Sequence, residues 1–262
     1  MVARFALNIV IPTKMAEAGL RATLDSIANQ EYCADECRVQ VVIVDGSPSR
    51  TLHPDDSALH LPGIDMTYLE VSDGSPFEAM NLGLQVATEG WVHILNSGDV
   101  YADCRVILRL AAVPAKDPRA RVIASDAIIE SRTKRFIQPI QPEKSRVNHQ
   151  CFVYQRNLHE RLGTYAAYPT ARVSDYLFMM STRSEEWHVL EQPIAIYRTG
   201  GVSGDGKSFY RRNCADYLLG KKSGPRIVSE TALFGILSIA RTLRLAPRSR
   251  WERPGPLAFS NK

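Results

Sequence analysis

The first half of the chain alternates short apolar runs with segments whose apolar residues recur at helical spacing. Leu20, Leu24 and Ile27 mark such a helix, and the apolar run Val39–Val44 follows it and ends in the turn sequence Asp45–Pro48. An apolar run of this kind suits a parallel strand that is covered on both faces. Alternation of strands and helices over the first ~125 residues predicts right-handed βαβ units. The sequence therefore predicts an α/β fold with an open, mostly parallel sheet flanked by helices.

Three further strands and one capped helix complete this half. The strands are predicted at Leu7–Ile11, Met66–Val71 and Trp91–Leu95. The first is predicted to stop at Pro12, and its apolar stretch is too short for a signal peptide and has no small-residue cleavage pattern. Ser75 and Glu78 form a capping box around Pro76, so a helix is predicted to begin at Pro76 and to close before Gly90.

Composition narrows the class of protein. A chain of 262 residues, 45% of them hydrophobic, can bury the core of one large α/β domain. Its net charge of +4 favours contact with phosphates or anionic lipid without requiring nucleic acid. The five cysteines are scattered and odd in number, which fits a reducing cytoplasm better than a disulfide framework. No apolar run approaches the roughly 20 residues that span a bilayer, so any membrane contact is expected to be peripheral, at the inner face.

Two carboxylates follow predicted strand ends. Asp45 comes after the second strand and Asp99 after the fourth. Ligands of open parallel sheets bind outside the carboxyl ends of the strands, so both side chains are expected to face one crevice. Carboxylate oxygens are the ligands that hard divalent cations prefer, although Asp99 taken alone could equally belong to a turn.

The order of several motifs identifies a family. Asp73–Gly83 reads DGSPFEAMNLG, and Leu95–Asp99 follows it as LNSGD. This pair resembles the family 2 glycosyltransferases of the GT-A fold, in which D-x-G-I-Y-D-A-M-N-x-G precedes a strand and then L-N-S-G-D or L-N-S-D-D. Further motifs occur in the family's order at Pro12-Thr13, Val44–Ser47, His149-Gln150, Ser174–Tyr176 and Gly200–Ser203. The resemblance covers residues 7–205 and, within the family, is to exopolysaccharide enzymes of the colanic acid type.

The resemblance implies an activity and roles for individual residues. It implies inverting transfer of a sugar from a nucleotide-diphosphate sugar to a hydroxyl of a lipid-linked or growing polysaccharide. It also implies that Asp99 binds Mn²⁺ or Mg²⁺ and that Asp175 acts as the general base. The donor contacts that it implies are Pro12, Thr13, Asp45, Asp73, Asn81, His149 and Gln150. From the residues alone, Thr13 and Asp45 could build a strand-end turn or a helix-entry cap, and Asp73 could start a turn. Asn81 could face solvent, and Asp175 could favour the helix dipole. His149 and Gln150 match a family pair that lies near the acceptor or the diphosphate, although a lone histidine is commonly a structural residue.

The sequence also departs from the family pattern. Ser75 replaces a glycine, Glu78 replaces an aspartate, and Asn96 and Gly98 stand where many relatives have acidic residues. A metal would then depend largely on Asp99 and the donor phosphates, and its affinity is expected to be weak until the nucleotide arrives.

Other classes of protein fit less well. A catalytically silent nucleotide-sugar-binding scaffold would explain the thinned acidic motif, but it has no use for a base at Asp175. A nucleotidyltransferase would carry a Gly-rich basic loop after the first strand, which Pro12–Met15 is not. A dehydrogenase would show G-x-G-x-x-G at the same place.

The domain organisation is predicted from the change of pattern along the chain. Residues 1–222 are assigned to the glycosyltransferase domain, with 1–125 as its nucleotide-binding half and 126–222 as its acceptor half. Residues 223–262 are assigned to a basic, amphipathic extension with a helix at 226–244. Five arginines follow the apolar block Ala232–Ala240, which is the composition of an anchor for anionic headgroups. A helix packed on the core, with a solvated basic tail, fits the same residues.

Overall fold

The structure of the chain is a computed structural model. It describes residues 5–71, 75–87, 89–131, 133–141, 147–166, 174–199, 213–214, 216–217, 220 and 222–242. The chain divides into two compact units, Met1–Thr199 and Gly200–Lys262. The predicted division of the chain at residue 222 remains a prediction.

The described helices and strands of the first unit alternate as the sequence predicts. In chain order they are β1 (Phe5–Thr13), α1 (Glu17–Ala28), β2 (Cys37–Asp45), β3 (Ile64–Glu70), α2 (Pro76–Val86), β4 (Trp91–Ile94), β5 (Val100–Tyr101), α3 (Val106–Lys116), β6 (Val122–Ser125), β7 (Ala127–Glu130), β8 (Arg135–Gln138), β9 (Phe152–Gln155), α4 (Leu158–Leu162), α5 (Ser174–Ser181), β10 (Trp187–Leu190) and β11 (Ala195–Arg198). Single turns of 3₁₀ helix lie at Ser57–Leu59, His149–Cys151 and Thr182–Ser184.

The strands form two sheets. The larger has seven strands in the order β10-β6-β9-β4-β1-β2-β3 and the smaller has four in the order β5-β11-β7-β8. In the larger sheet β9 runs antiparallel to both of its neighbours, and the other pairs are parallel. The residues of β1 and β2 that face the core are almost fully buried beneath α1 and α3. The prediction of a mostly parallel α/β sheet flanked by helices is therefore confirmed.

One strand end differs from its prediction, and the predicted helix start is confirmed. β1 does not stop at Pro12 but continues to Thr13, because the Pro12 carbonyl still accepts a hydrogen bond from the N–H of Ser97 although its own nitrogen cannot donate. The capping box of α2 forms as predicted, with the Ser75 and Glu78 side chains each accepting from the other's backbone N–H. The helix ends at Val86, before Gly90.

The described helix of the second unit is α6 (Gly224–Thr242), close to the predicted 226–244. It exposes apolar side chains at Val228, Leu233 and Ile236. None of the described helices is long and apolar enough to cross a membrane. The arginines beyond residue 242 lie outside the described residues.

Candidate active site

The ends of three parallel strands meet at one edge of the larger sheet. Thr13 at the end of β1 lies level with Asp45 at the end of β2. The chain that leaves β4 remains beside β1, because Leu95 N–H donates to the Val10 carbonyl (3.0 Å) and Ser97 N–H donates to the Pro12 carbonyl (3.3 Å). The segment that leads to Asp99 is therefore held against the end of β1.

Asp99 is almost completely buried, with 4% of its surface exposed. Its Oδ2 accepts from the Gln150 side-chain amide (2.8 Å) and its Oδ1 from the Arg198 backbone N–H (2.9 Å). Its backbone carbonyl accepts from the Thr23 hydroxyl (2.7 Å). Burial raises the pKa of Asp99 to about 6, although the donors at Arg198 and Gln150 and the neighbouring positive charges act in the opposite direction. The carboxylate is thus fixed in position but costly to ionise.

The backbone at Gly98 disfavours the acidic residue that many relatives carry at this position. Gly98 has φ of +101°, in the left-handed region that residues with a Cβ rarely adopt. Its N–H donates to the Thr23 hydroxyl (2.9 Å), which fixes this conformation against α1. An acidic side chain at position 98 would therefore strain the backbone of this loop.

His149 and Gln150 connect Asp99, the predicted metal ligand, with Asp175, the predicted base. They lie in a 3₁₀ turn that Asn148 caps by accepting from the Gln150 N–H (3.0 Å). Gln150 holds Asp99, whereas His149 Nδ1 lies 3.0 Å from Oδ2 of Asp175 in the first turn of α5. The sequence predicts this pair as donor contacts. The structure shows that adjacent residues contact the predicted metal ligand and the predicted base.

The His149 ring is also held from its other side. Its Nε2 lies 3.0 Å from the Asn96 side-chain nitrogen. Burial lowers the pKa of His149, but the contact with Asp175 and the charge of Asp99 outweigh that effect and raise it above its ordinary value. The exposed fractions of the side chains are 17% for His149 and 23% for Asp175, so the carboxylate can still be reached from solvent.

A second, fully buried histidine supports this turn. His93 of β4 donates from Nε2 to the Gln150 carbonyl (2.9 Å), and its Nδ1 accepts from the Tyr101 hydroxyl (3.2 Å). Burial lowers its pKa to about 4, so the ring is neutral at physiological pH. Sequence reasoning missed His93 and the backbone N–H of Arg198. A histidine inside the apolar strand Trp91–Ile94 was the available signal for the first.

Asp45 is enclosed by donors from the protein. Its oxygens accept from the backbone N–H groups of Ser47 (2.9 Å) and Thr51 (2.7 Å) and from the Tyr68 hydroxyl (2.6 Å). Burial favours the neutral acid, but these hydrogen bonds outweigh burial and hold the pKa of Asp45 below its usual range. Asp45 thus organises the loop after β2. Its contact with the donor remains a prediction.

Two other polar atoms at this edge have no hydrogen-bond partner. Thr13 Oγ1 and Asn96 Oδ1 are both buried and unpaired among the described residues. Buried polar atoms are nearly always paired in folded proteins, so these two fit a polar ligand at the edge of the sheet. The Pro12 carbonyl, in contrast, is already used by the protein.

Asn81 does not face solvent. Its amide donates to the Tyr165 carbonyl (2.7 Å) and accepts from the Tyr165 N–H (3.0 Å), so both of its polar atoms hold the segment that precedes α5. The Tyr165 ring packs against Phe178 of α5. The remaining predicted donor contact, Asp73, lies outside the described residues, as does Gly200–Ser203.

The residues at this edge fit a cation that arrives with a phosphate ligand. The described part of the chain has no cluster of three or more histidine, cysteine or acidic residues that could hold a metal by itself. Asp99 supplies one carboxylate. Magnesium in proteins usually keeps several waters and binds one or two carboxylates together with substrate phosphates. Asp99 would be that carboxylate, and each of its oxygens already accepts one hydrogen bond from the protein.

The open sheet with an aspartate after its fourth strand fits a GT-A glycosyltransferase fold, and comparison with known proteins gives the family. The model of the family described as "Glycosyl transferase family 2" matches residues 8–179, which is more than half of the chain. The chain therefore belongs to glycosyl transferase family 2.

Individual relatives agree with this assignment. A PGL/p-HBAD biosynthesis glycosyltransferase of Mycobacterium bovis is 30% identical over 165 residues, and its Mycobacterium tuberculosis counterparts match equally. The match covers 60% of this chain but only 62% of the length of these relatives.

Solved structures share the fold. S. aureus TarS 1-349 in complex with UDP-GlcNAc is 18% identical with a TM-score of 0.62, covering 80% of this chain and 64% of that one. The mannosyltransferase PcManGT from Pyrobaculum calidifontis, in complex with GDP-Man and Mn²⁺, is also 18% identical, with a TM-score of 0.58, covering 88% of this chain and 70% of that one.

Proposed function

We propose that this chain transfers a sugar, with inversion, from a nucleotide-diphosphate sugar to a hydroxyl of a lipid-linked or growing polysaccharide acceptor. The observation that carries the proposal is the bridge formed by His149 and Gln150. Through it, a partly exposed carboxylate at Asp175 and a buried carboxylate at Asp99 belong to one hydrogen-bonded site.

In this proposal, the donor binds at the ends of β1, β2 and β4. The unpaired atoms Thr13 Oγ1 and Asn96 Oδ1 support a polar ligand there. The complexes of similar fold contain UDP-GlcNAc in one case and GDP-Man with Mn²⁺ in the other, which supports the donor class. Asp99 would hold Mn²⁺ or Mg²⁺ together with the donor diphosphate, and the bound cation would neutralise the leaving diphosphate.

The acceptor reacts beside α5. Asp175 takes the proton of the acceptor hydroxyl as that oxygen forms its bond to the anomeric carbon, and the nucleoside diphosphate leaves from the opposite face with the bonding electrons. The 23% exposure of the Asp175 side chain supports access for a hydroxyl. A general base needs to lie within hydrogen-bond reach of the proton that it takes, and a positioned one contributes about 10²- to 10⁴-fold in rate.

The test begins with a thermal-shift panel of UDP, GDP, dTDP and their sugars, with and without Mn²⁺. A ligand that binds the folded state raises the melting temperature. We expect a Mn²⁺-dependent shift with one nucleotide family. With that donor, Asp175→Asn should keep the shift and lose about 10²- to 10⁴-fold in transfer. The matched control is Asp25→Asn. Because Asp25 is exposed on α1, this substitution should leave both the thermal shift and the rate of transfer unchanged.

Two outcomes would contradict the proposal in different ways. If no nucleotide or nucleotide sugar shifts the melting temperature, the chain does not bind the proposed donor. A shift without any transfer by the parent protein would instead favour the catalytically silent nucleotide-sugar-binding scaffold.

A further inference from the structure

We propose that His149 is a positioning residue for the base: its Nδ1–H holds the Asp175 carboxylate, and Asn96 fixes the ring in the form that can donate. The inference rests on the proposed function, because it assigns a role within the same transfer reaction. It differs from the donor contact that the sequence predicts for His149.

The contacts form a short relay. Asn96 Nδ2 lies 3.0 Å from His149 Nε2, and His149 Nδ1 lies 3.0 Å from Asp175 Oδ2. In the neutral ring, with the Asn96 side-chain nitrogen assigned as donor, Nε2 accepts and the single ring proton lies on Nδ1, where it faces the carboxylate. The hydrogen bond made by one histidine nitrogen sets the proton position on the other.

The backbone beneath the ring is fixed independently. The Gln150 N–H donates to the Asn148 side chain (3.0 Å), and the Gln150 carbonyl accepts from buried His93 (2.9 Å). The Cys151 N–H closes the turn by donating to the Asn148 carbonyl (2.9 Å). The ring of His149 therefore projects from a rigid turn, which is what the precise placement of a base requires.

The protein already uses both ring nitrogens, and this separates the two roles. A histidine that contacts a diphosphate needs a ring nitrogen that faces the ligand, whereas Asp175 and Asn96 occupy both nitrogens of His149. Loss of the ring should therefore lower kcat, because the base would no longer be held. The KM for the donor should change little.

Two substitutions distinguish the two sides of the ring. The amide of His149→Asn lies near the position of Nδ1 and can still donate to Asp175. The amide of His149→Gln lies near the position of Nε2 and can still contact Asn96. We expect His149→Asn to keep kcat within about tenfold of the parent and His149→Gln to fall at least about tenfold further. Both should keep the donor KM and the Mn²⁺-dependent thermal shift.

The outcomes separate this inference from the proposed function. Equal losses of kcat, or a more active His149→Gln, would overturn the positioning role, and so would a raised donor KM with unchanged kcat in both variants. A parent protein without transfer activity would instead mean that the proposed function has failed. ¹⁵N NMR of the labelled parent, at a pH at which the His149 ring is neutral, provides a readout that needs no variant to fold: the Nδ1–H form of His149 is expected, and the Nε2–H form would refute the relay.

Discussion

Replacing Asp99 by asparagine should stabilise the metal-free protein while abolishing metal-dependent transfer. Asparagine has nearly the same shape, and its side-chain oxygen can accept from the Arg198 N–H as Oδ1 of Asp99 does. Its amide would face Gln150, whose side-chain amide can rotate to present its oxygen. What disappears is the cost of ionising a carboxyl group that is 4% exposed.

The magnitude follows from the pKa. Burial raises the pKa of Asp99 from 3.8 to about 6, and each unit corresponds to about 1.4 kcal/mol, so ionisation costs the folded state about 3 kcal/mol at most. Because the folded-state pKa lies above the unfolded-state value, the parent loses this stability as pH rises from about 4 to about 6. Asparagine does not titrate, so its advantage should be near zero below this window and complete above it.

Urea unfolding in chelator, at pH values from 4 to 8, measures this difference. The control is Asp25→Asn on the exposed face of α1, which should change the free energy of unfolding by no more than about 0.5 kcal/mol at any pH. The reasoning would be refuted if Asp99→Asn were less stable than the parent at pH 8. It would also be refuted if the difference in the free energy of unfolding between variant and parent were the same at pH 4 and pH 8.

Two further predictions concern the loop after β2 and the second unit. Tyr68→Phe keeps the ring beneath Arg50 but removes the hydroxyl that donates to Asp45. Urea unfolding at pH 7 should show that the free energy of unfolding falls by about 1–3 kcal/mol, and this difference should become smaller in acid as Asp45 protonates. A difference that is independent of pH would contradict this role of Tyr68. Truncation at Ser223 removes α6 and should abolish flotation of the protein with anionic vesicles, whereas undiminished flotation would show that the helix is not the membrane contact.

Features that depend on neighbouring residues could be predicted from the sequence. The start of α2 at Pro76 follows from the capping box that Ser75 and Glu78 form within one helical turn. The placement of Asp45 at the edge of the sheet follows from the rule that parallel strands end on the same side. The prediction that β1 stops at Pro12 was wrong because a single missing N–H does not end a strand whose other groups remain paired.

The contacts inside the site could not be predicted in the same way, because they join distant segments. Gln150 and Asp99 are 51 residues apart, and Asn81 and Tyr165 are 84 residues apart. The Arg198 N–H reaches Asp99 across 99 residues and, as a backbone group, leaves no trace in the residue type. A family motif can mark such residues as important without showing which of them contact a ligand and which position another side chain.

The single carboxylate at the proposed metal site follows from the backbone and the burial around it. An acidic residue at position 98 would have to adopt φ near +101°, and its charge would lie beside an Asp99 whose pKa is already raised to about 6. A nearby like charge raises the pKa of a carboxyl group further, which adds to the cost of the metal-free fold. With one carboxylate, the protein avoids this cost but supplies few ligands to a cation. We therefore expect Mn²⁺ to bind weakly alone and tightly with the nucleotide, because the diphosphate provides the oxygens that this loop cannot.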